Sequence, residues 1–491
     1  MIVGFLIFWP LLAALLLLLT KGEQVKKAAF AFSLIELLAT GMAWYHYHQN
    51  PASDVLKMYA PWIPSLGINL DVAMDGIGVL MVFLTTLLVP FIILSSFGKS
   101  YKNPRAFYML ILLMQMALVG VFVAMDGFLF YVFWELALIP IYFICLLWGG
   151  EGRARITFKF FIYTLFGSLF MLTALIYLYL HTATPTGHSF HIDALTAAGV
   201  AMNAKSQAVF FFCMFLAFAI KMPVFPFHTW QPDTYVNAPA QGTMLLSGIM
   251  LKMGTYGMLR WMLPVAPQAL HDYGYIIIIL AVISILYASM LAMVQKDFKR
   301  LIAYSSIAHV GLIAAGLVAF NVQGLEGGLV QMISHGINVV GLFIICDMIS
   351  ARTGTSDIDS LGGIRQVAPG FALVALLIVL GSVALPLTNG FVGEFLLING
   401  LFQYKAAAAA LAGLTIILGA VYMLRSYQKV MLGEVSAATK SFPDLTFNEK
   451  AVLIPLVILI FFFGIYPKPL LDLAHPAVEA LVHKYNLGLM K

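Results

Sequence analysis

Residues 215–230 read FLAFAIKMPVFPFHTW, an apolar helix-forming run that carries a lysine and then two prolines. Lys221 stands inside a segment otherwise fit to cross a bilayer. Pro223 and Pro226 have no amide hydrogen to give a helix, and they free the carbonyls of Ala219 and Met222. Free backbone groups persist at membrane depth only where protein or water takes them up. The stretch therefore reads as a membrane helix broken next to a charge. Residues 381–395, GSVALPLTNGFVGEF, repeat the pattern. Pro386 frees the carbonyl of Ser382, Gly390 follows, and Glu394 stands just past the break, in the opening turn of the second half. The apolar run around it is some 30 residues long, more than one straight helix needs to cross about 30 Å.

The composition agrees with a membrane setting. Of 491 residues, 62% are hydrophobic and 10% charged, against roughly one charged residue in four for a soluble domain. Fourteen apolar runs fall at 2–20, 28–46, 75–97, 105–125, 127–148, 156–180, 207–226, 240–263, 273–294, 300–320, 328–350, 368–398, 406–432 and 450–466. They are numbered here as spans 1 to 14. Several are apolar all round, which excludes a barrel with alternating faces. The fold expected is an all-α polytopic membrane protein with breaks in spans 7 and 12. Two broken helices five spans apart are what an inverted repeat produces, with spans 4–8 and 9–13 as the copies. The chain then divides into 1–104 (spans 1–3 and an outer loop), 105–263 (first repeat), 264–432 (second repeat) and 433–491 (span 14 and an interfacial tail). The N-terminus has no basic region before its apolar run and reads as a retained helix, not a cleaved signal.

Basic residues choose the orientation. Lys57, Lys205, Lys405, Lys468, Lys484 and Lys491 fall on one side, and Lys221, Lys252 and Arg260 fall within spans. The other eighteen of the 27 Lys and Arg lie in or next to the connections of the opposite side. That bias places both termini outside the cell. The net charge of +5 is too small and scattered for nucleic acid. Cys145, Cys213 and Cys346 are isolated, with no CxxC, and there is no GxGxxG or P-loop. No redox cofactor, nucleotide or metal site is expected in this chain.

An ionisable side chain in mid-span costs several kcal/mol unless it finds a partner or water, so each one is a functional candidate. The set is Glu135, Lys221, Lys252, His309, His335 and Glu394, with Glu36 as a further buried acid in a peripheral span. Lys252 lies about twelve residues from either end of span 8, at the midplane. Lys221 ends the first half of span 7, where the helix dipole favours a cation, and Glu394 opens the second half of span 12, where it favours an anion. Burial disfavours the charged form of either sign, which suits residues that trade protons. Asp347 falls near the end of span 11, at the interface. His188 and His191, in GHSFHID, read as a solvated loop, and Lys405 as a snorkelling lysine.

FWELALIPIY, FAIKMPVFPFHTWQPDTYVNAP, LLKMGTYGMLR, QKDFKRLIAYSSIAHVG, MISHGINVVGLF and FVGEF together resemble the antiporter-like membrane subunits of respiratory complex I and their relatives in multi-subunit cation/proton antiporters. The matches run from about residue 130 to 400. The resemblance implies fourteen helices with two inverted five-helix repeats. It makes Glu135 and Lys221 an ion pair, Lys252 the central lysine, His309 and His335 bridging histidines, and Glu394 the terminal proton-exchanging acid. A glutamate at that last position, and a chain ending soon after span 14, resemble the M-type members and not the L- or N-type. Tyr235, and Pro386 to Asn389, depart from the usual pattern. The resemblance further implies proton pumping in a bacterial inner membrane. L-type and N-type neighbours and the lateral helix of L would be partners, and NADH, FMN, Fe–S clusters and quinone would be held by other subunits. The alternatives are a subunit of a Na⁺/H⁺ antiporter or membrane-bound hydrogenase, and, less well matched by the mostly apolar residues at the breaks, a solute transporter.

Fourteen crossings put Lys99 and Lys205 on opposite faces. Single cysteines introduced there should react with an impermeant thiol reagent from opposite sides of sealed vesicles. Labelling from one and the same side would contradict the fourteen-span reading.

Overall fold

The computed structural model describes residues 2–185 and 187–489. Among them, twelve helices are long and apolar enough to cross a membrane, and they coincide with spans 1–7, 9–11, 13 and 14. The two remaining spans are built of shorter pieces. Span 8 is one continuous run from Ala240 whose α-helical turns are interrupted by π turns at Leu246–Met250 and Met258–Met262. Span 12 is split into Pro369–Ser382 and Asn389–Tyr404.

The bundle has a dry centre and an oily rim. Span 10 (Phe298–Val318) and span 11 (Val322–Thr353) are almost wholly enclosed, whereas spans 2 and 14 keep wide exposed apolar faces, as helices next to lipid do. Polar N-caps set where several helices begin. Asp75, Asp126, Asn203, Asp297 and Asn321 each accept a backbone N–H of the first turn, and Thr446 with Glu449 forms a reciprocal capping box before span 14. These caps satisfy donors that lipid would leave stranded.

Contacts between connections follow the alternation that fourteen crossings require. On one side Arg105 donates to the Thr20 carbonyl at 2.7 Å, Lys26 to that of Phe97 at 2.8 Å, and Arg300 pairs with Asp233 at 2.9 Å. Lys99 pairs with Asp347 there. On the other side Asp126 bridges to His191, and Lys484 pairs with Asp193 at 3.0 Å.

Three elements were not expected from the sequence. The loop after span 2 forms an antiparallel hairpin, β1 (Lys57–Ile63) and β2 (Ile68–Ala73). The loop after span 6 carries a short helix, Ile192–Ala201. Span 5 is interrupted at Ala137, between Gly127–Leu136 and Leu138–Trp148; Pro140 cannot donate to the Leu136 carbonyl. The tail is longer than a short interfacial piece: Lys468–Leu489 is one helix, laid across spans 3 and 11.

The two expected breaks are present, with their backbone groups reassigned. In span 7 the helix Ala204–Lys221 stops, and a short helix resumes at Gln231–Asn237. The carbonyl of Ala219, expected to be free, accepts the Val224 N–H at 3.0 Å. Trp230 Nε1 donates to the carbonyl of Ile220 at 2.9 Å. In span 12, Ala384 and Leu387 sit at φ 55° and 77°, costing of order 1–3 kcal/mol each. Span 11 braces this turn: Asn338 Nδ2 donates to the Gly381 carbonyl at 2.9 Å, and Ser334 Oγ to that of Asn389 at 3.0 Å.

Gly390 is the close-approach point of the break. A β-carbon there would lie 2.5 Å from the Gly381 carbonyl oxygen, and backbone cannot swing aside as a side chain does. Gly390→Ala should destabilise the protein by about 1–3 kcal/mol. Gly413→Ala, whose β-carbon would meet only Ile398 at 3.9 Å, should be near neutral. Thermal unfolding midpoints in detergent check both.

Candidate functional site

Four helices contribute to one buried polar row. Lys252, the first residue of the α-helical stretch that follows the first π turn of span 8, is wholly enclosed. Its Nζ donates to the carbonyl of Ser247 at 2.7 Å and lies 2.8 Å from His335 Nδ1 on span 11. The rings of His335 and His309 are 5.9 Å apart, centroid to centroid. On span 10, His309 Nδ1 lies 2.8 Å from Glu394 Oε1, and Gln331 Nε2 donates to that same oxygen at 3.1 Å. Glu394 is 1% exposed. It stands in the second turn of Asn389–Tyr404, not the opening turn. Its partners are therefore the imidazole and amide across from it, not the helix-end N–H groups.

The gap between the histidines is polar. A cavity of about 10 Å³, room for one water molecule, is lined by Ser305, Ser306, His309, Gln331, His335 and Asn338, among others. Ser306 Oγ, Gln331 Oε1, Asn338 Oδ1 and Glu394 Oε2 are buried without a protein partner. Atoms of that kind are normally hydrated, because leaving them dry costs about 1–3 kcal/mol each.

The chemistry such a row can perform is proton transfer. Lysine and imidazole nitrogens 2.8 Å apart can share one proton but cannot both carry their full charge without repulsion. The same holds in reverse for His309 and Glu394, which are stable as a charged pair or as a neutral hydrogen-bonded pair.

The first half of the bundle is arranged differently from expectation. Glu135 and Lys221 form no ion pair in this structure. Lys221 is 2% exposed, its Nζ has no hydrogen-bond partner, and it lies over the Trp134 ring, 5.1 Å from the centroid. The Glu135 carboxylate lies beside Ser168 and Tyr131, within electrostatic reach of Lys221. The reason is local: Trp134 projects between spans 5 and 7 and offers its π face to the cation. No hydrogen bond joins Lys221 to Lys252.

Pro223, Pro226 and Pro386 fall in the two breaks, and Gly390 is the second residue of the helix that resumes after the second; Lys221 adjoins the first break, and Glu394 of the row follows the second. Sequence reasoning missed uncharged members: Gln331, Asn338, Ser305 and Ser306 around the histidines, and His228 and Gln231 after the first break, where Tyr235 stood out only as a departure from the family pattern. The last three are buried, with polar atoms that have no protein partner. Their signal was present in FHTWQPDTY, a polar run inside an enclosed segment. Glu36 is wholly buried with neither oxygen partnered and lies on span 2, apart from the row. His191 caps the loop helix Ile192–Ala201 and faces Asp71 at 3.5 Å. No group of three or more metal-binding side chains occurs among the described residues.

Comparison with known proteins gives a consistent result. Residues 124–419 match the family described as "NADH:quinone oxidoreductase/Mrp antiporter, TM". The NADH-quinone oxidoreductase subunit M of Rickettsia typhi is 37% identical over 99% of both chains. The NADH-ubiquinone oxidoreductase chain 4 of Marchantia polymorpha is 34% identical over 97% of this chain and 96% of its own. A chain of respiratory complex I from Thermus thermophilus, solved with bound NADH, superposes with a TM-score of 0.91 at 31% identity, covering 99% of this chain and all of that one. With a family match over more than half its length and full-length relatives of this similarity, the chain belongs to the NADH:quinone oxidoreductase/Mrp antiporter family of transmembrane subunits, in its subunit M (chain 4) branch.

Proposed function

We propose that this chain is the M-type proton-translocating subunit in the membrane arm of NADH:quinone oxidoreductase, and that Lys252, His335, His309 and Glu394 carry the proton. The observation that supports this most directly is the row itself: Lys252 to His335 at 2.8 Å and His309 to Glu394 at 2.8 Å, enclosed at the centre of a membrane bundle. Redox chemistry at NADH, flavin, iron–sulfur clusters and quinone belongs to other subunits of the complex. Its energy reaches this chain through L-type and N-type neighbours and the lateral helix of L.

The sequence of events follows from the chemistry. A proton from the cytoplasmic side passes the polar residues after the first break, Tyr235, Gln231 and His228, and reaches the central lysine. Lys252 hands it to His335 Nδ1. The polar cavity carries it across to His309, and Glu394 receives it beside the second break. The 105–263 repeat serves entry and the 264–432 repeat serves exit, with both termini on the outer, periplasmic side. Glu135 and Lys221 bias the lysine. A charge rearrangement between them in a low-dielectric interior supplies energy of the order needed, because moving one proton against 100 mV costs about 2.3 kcal/mol.

Glu394→Gln keeps shape and hydrogen bonding but cannot ionise. It should lose most NADH-driven proton uptake by inverted vesicles, since a positioned proton-transfer group contributes about 10²-fold or more. Glu394→Asp should retain more pumping than Gln, and Glu394→Lys should recover part by restoring a titrating group. NADH–ferricyanide activity reports assembly. Wild-type pumping by Glu394→Gln would remove this residue from the path.

Glu135→Ala and Lys221→Ala should each abolish most pumping while the subunit still assembles, because each removes one of the two charges whose field biases the central lysine. Full pumping by Glu135→Ala would reduce that residue to a structural role. Proton uptake per NADH is the readout.

A further inference from the structure

Span 8 carries a second polar line that the row does not use. Lys252, Tyr256 and Arg260 follow one another every fourth residue, from the midplane toward the end of the helix nearest the hairpin side. Tyr256 is wholly buried; its hydroxyl donates to the Phe122 carbonyl of span 4 at 3.0 Å, and it lies against Arg260. Arg260 is itself buried. Its Nη2 stands 2.7 Å from Asp75 Oδ2, close enough for an ion pair though not aligned as a hydrogen bond. Asp75 uses its other oxygen to cap span 3, accepting from Gly78 N–H at 2.9 Å, and its side chain is 31% exposed. A short ladder thus leads from the central lysine to the surface, and its last buried rung is an arginine.

A sideways relay has a competitor here. A proton on Lys252 that moved straight along span 8 to Asp75 would leave without passing the histidines or Glu394, and the same route in reverse would let protons leak inward. Arginine does not give up its proton in proteins, so it cannot hand one on. Its fixed charge repels an excess proton beside it, as arginines do in pores that exclude protons. We propose that Arg260, held in place by Asp75, is the electrostatic barrier that closes the span 8 route and confines the proton of Lys252 to the histidine row. This rests on the reading that Lys252 carries the moving proton. Arg260 is a positioning residue: it acts on the path and does not take up the proton.

The test is passive proton permeability of the whole complex in liposomes, under an imposed pH gradient and without NADH. Arg260→Gln should raise the leak attributable to the complex about tenfold, equivalent to about 1.4 kcal/mol of barrier, and lower the protons pumped per NADH while quinone reduction continues. Arg260→Lys should stay tight. Because the single neutral variant leaves Asp75 unpaired, the double variant Arg260→Gln with Asp75→Asn, which leaves no unpaired charge, keeps the test decisive if the single one fails to assemble. The double variant should leak as well. An assembled double variant as tight as wild type overturns the barrier. Adding Lys252→Met to the leaky double variant should close the leak. A leak that persists in that triple variant still supports the barrier, and it counts against the reading of Lys252 as the proton carrier.

Discussion

Lys252 Nζ lies 2.8 Å from His335 Nδ1, in the middle of a helix bundle where no carboxylate pairs with it among the described residues. An ammonium in such a place is stable only through hydrogen bonds it can keep while gaining or losing its proton. It has two, the Ser247 carbonyl and the imidazole. The π turn just before Lys252 belongs to the same solution, since Leu251 N–H bonds back to Leu246 and the Ser247 carbonyl takes the side chain. Much of the architecture around spans 10 and 11 exists to keep this contact away from lipid. Both helices are almost wholly enclosed, and each carries one histidine of the row.

The breaks in spans 7 and 12 serve the row by bringing polar groups to membrane depth without stranding the backbone. At the first, the Ile220 carbonyl is taken by Trp230, and Lys221 is left as the last residue of its half-helix. At the second, two non-glycine residues with positive φ are tolerated because Asn338 and Ser334 of span 11 hold the turn. The helix that holds the break also carries His335, Asn338 and Gln331 toward the cavity. Geometry at the break and geometry of the proton path are therefore set by one and the same element.

The charged members of this site were legible because charge inside an apolar run is expensive. Lys221, Lys252 and Glu394 stand out in the sequence for that reason, as do the prolines and Gly390 that mark the breaks. What did not show was how uncharged polar residues are used. Gln331, Asn338 and Ser306 sit in helices rich in glycine and small residues, where nothing in the spacing tells a packing contact from a ligand. The family's ion pair was expected between Glu135 and Lys221, but a tryptophan face can also hold an ammonium, and Trp134 is the residue next to Glu135. The fourteen spans were legible as apolar runs of sufficient length. The hairpin at 57–73 and the π turns were not, since both depend on contacts made by neighbouring segments.

The central claim is that Glu394 changes its protonation as the enzyme turns over. Infrared difference spectroscopy of the intact complex, resting against NADH-energised, reads carboxyl protonation directly. The account predicts a protonated-carboxyl band that rises and falls with turnover, is absent from Glu394→Gln, and shifts when His309 is replaced by glutamine. An energised spectrum in which no band depends on Glu394, from enzyme that pumps normally, would contradict it.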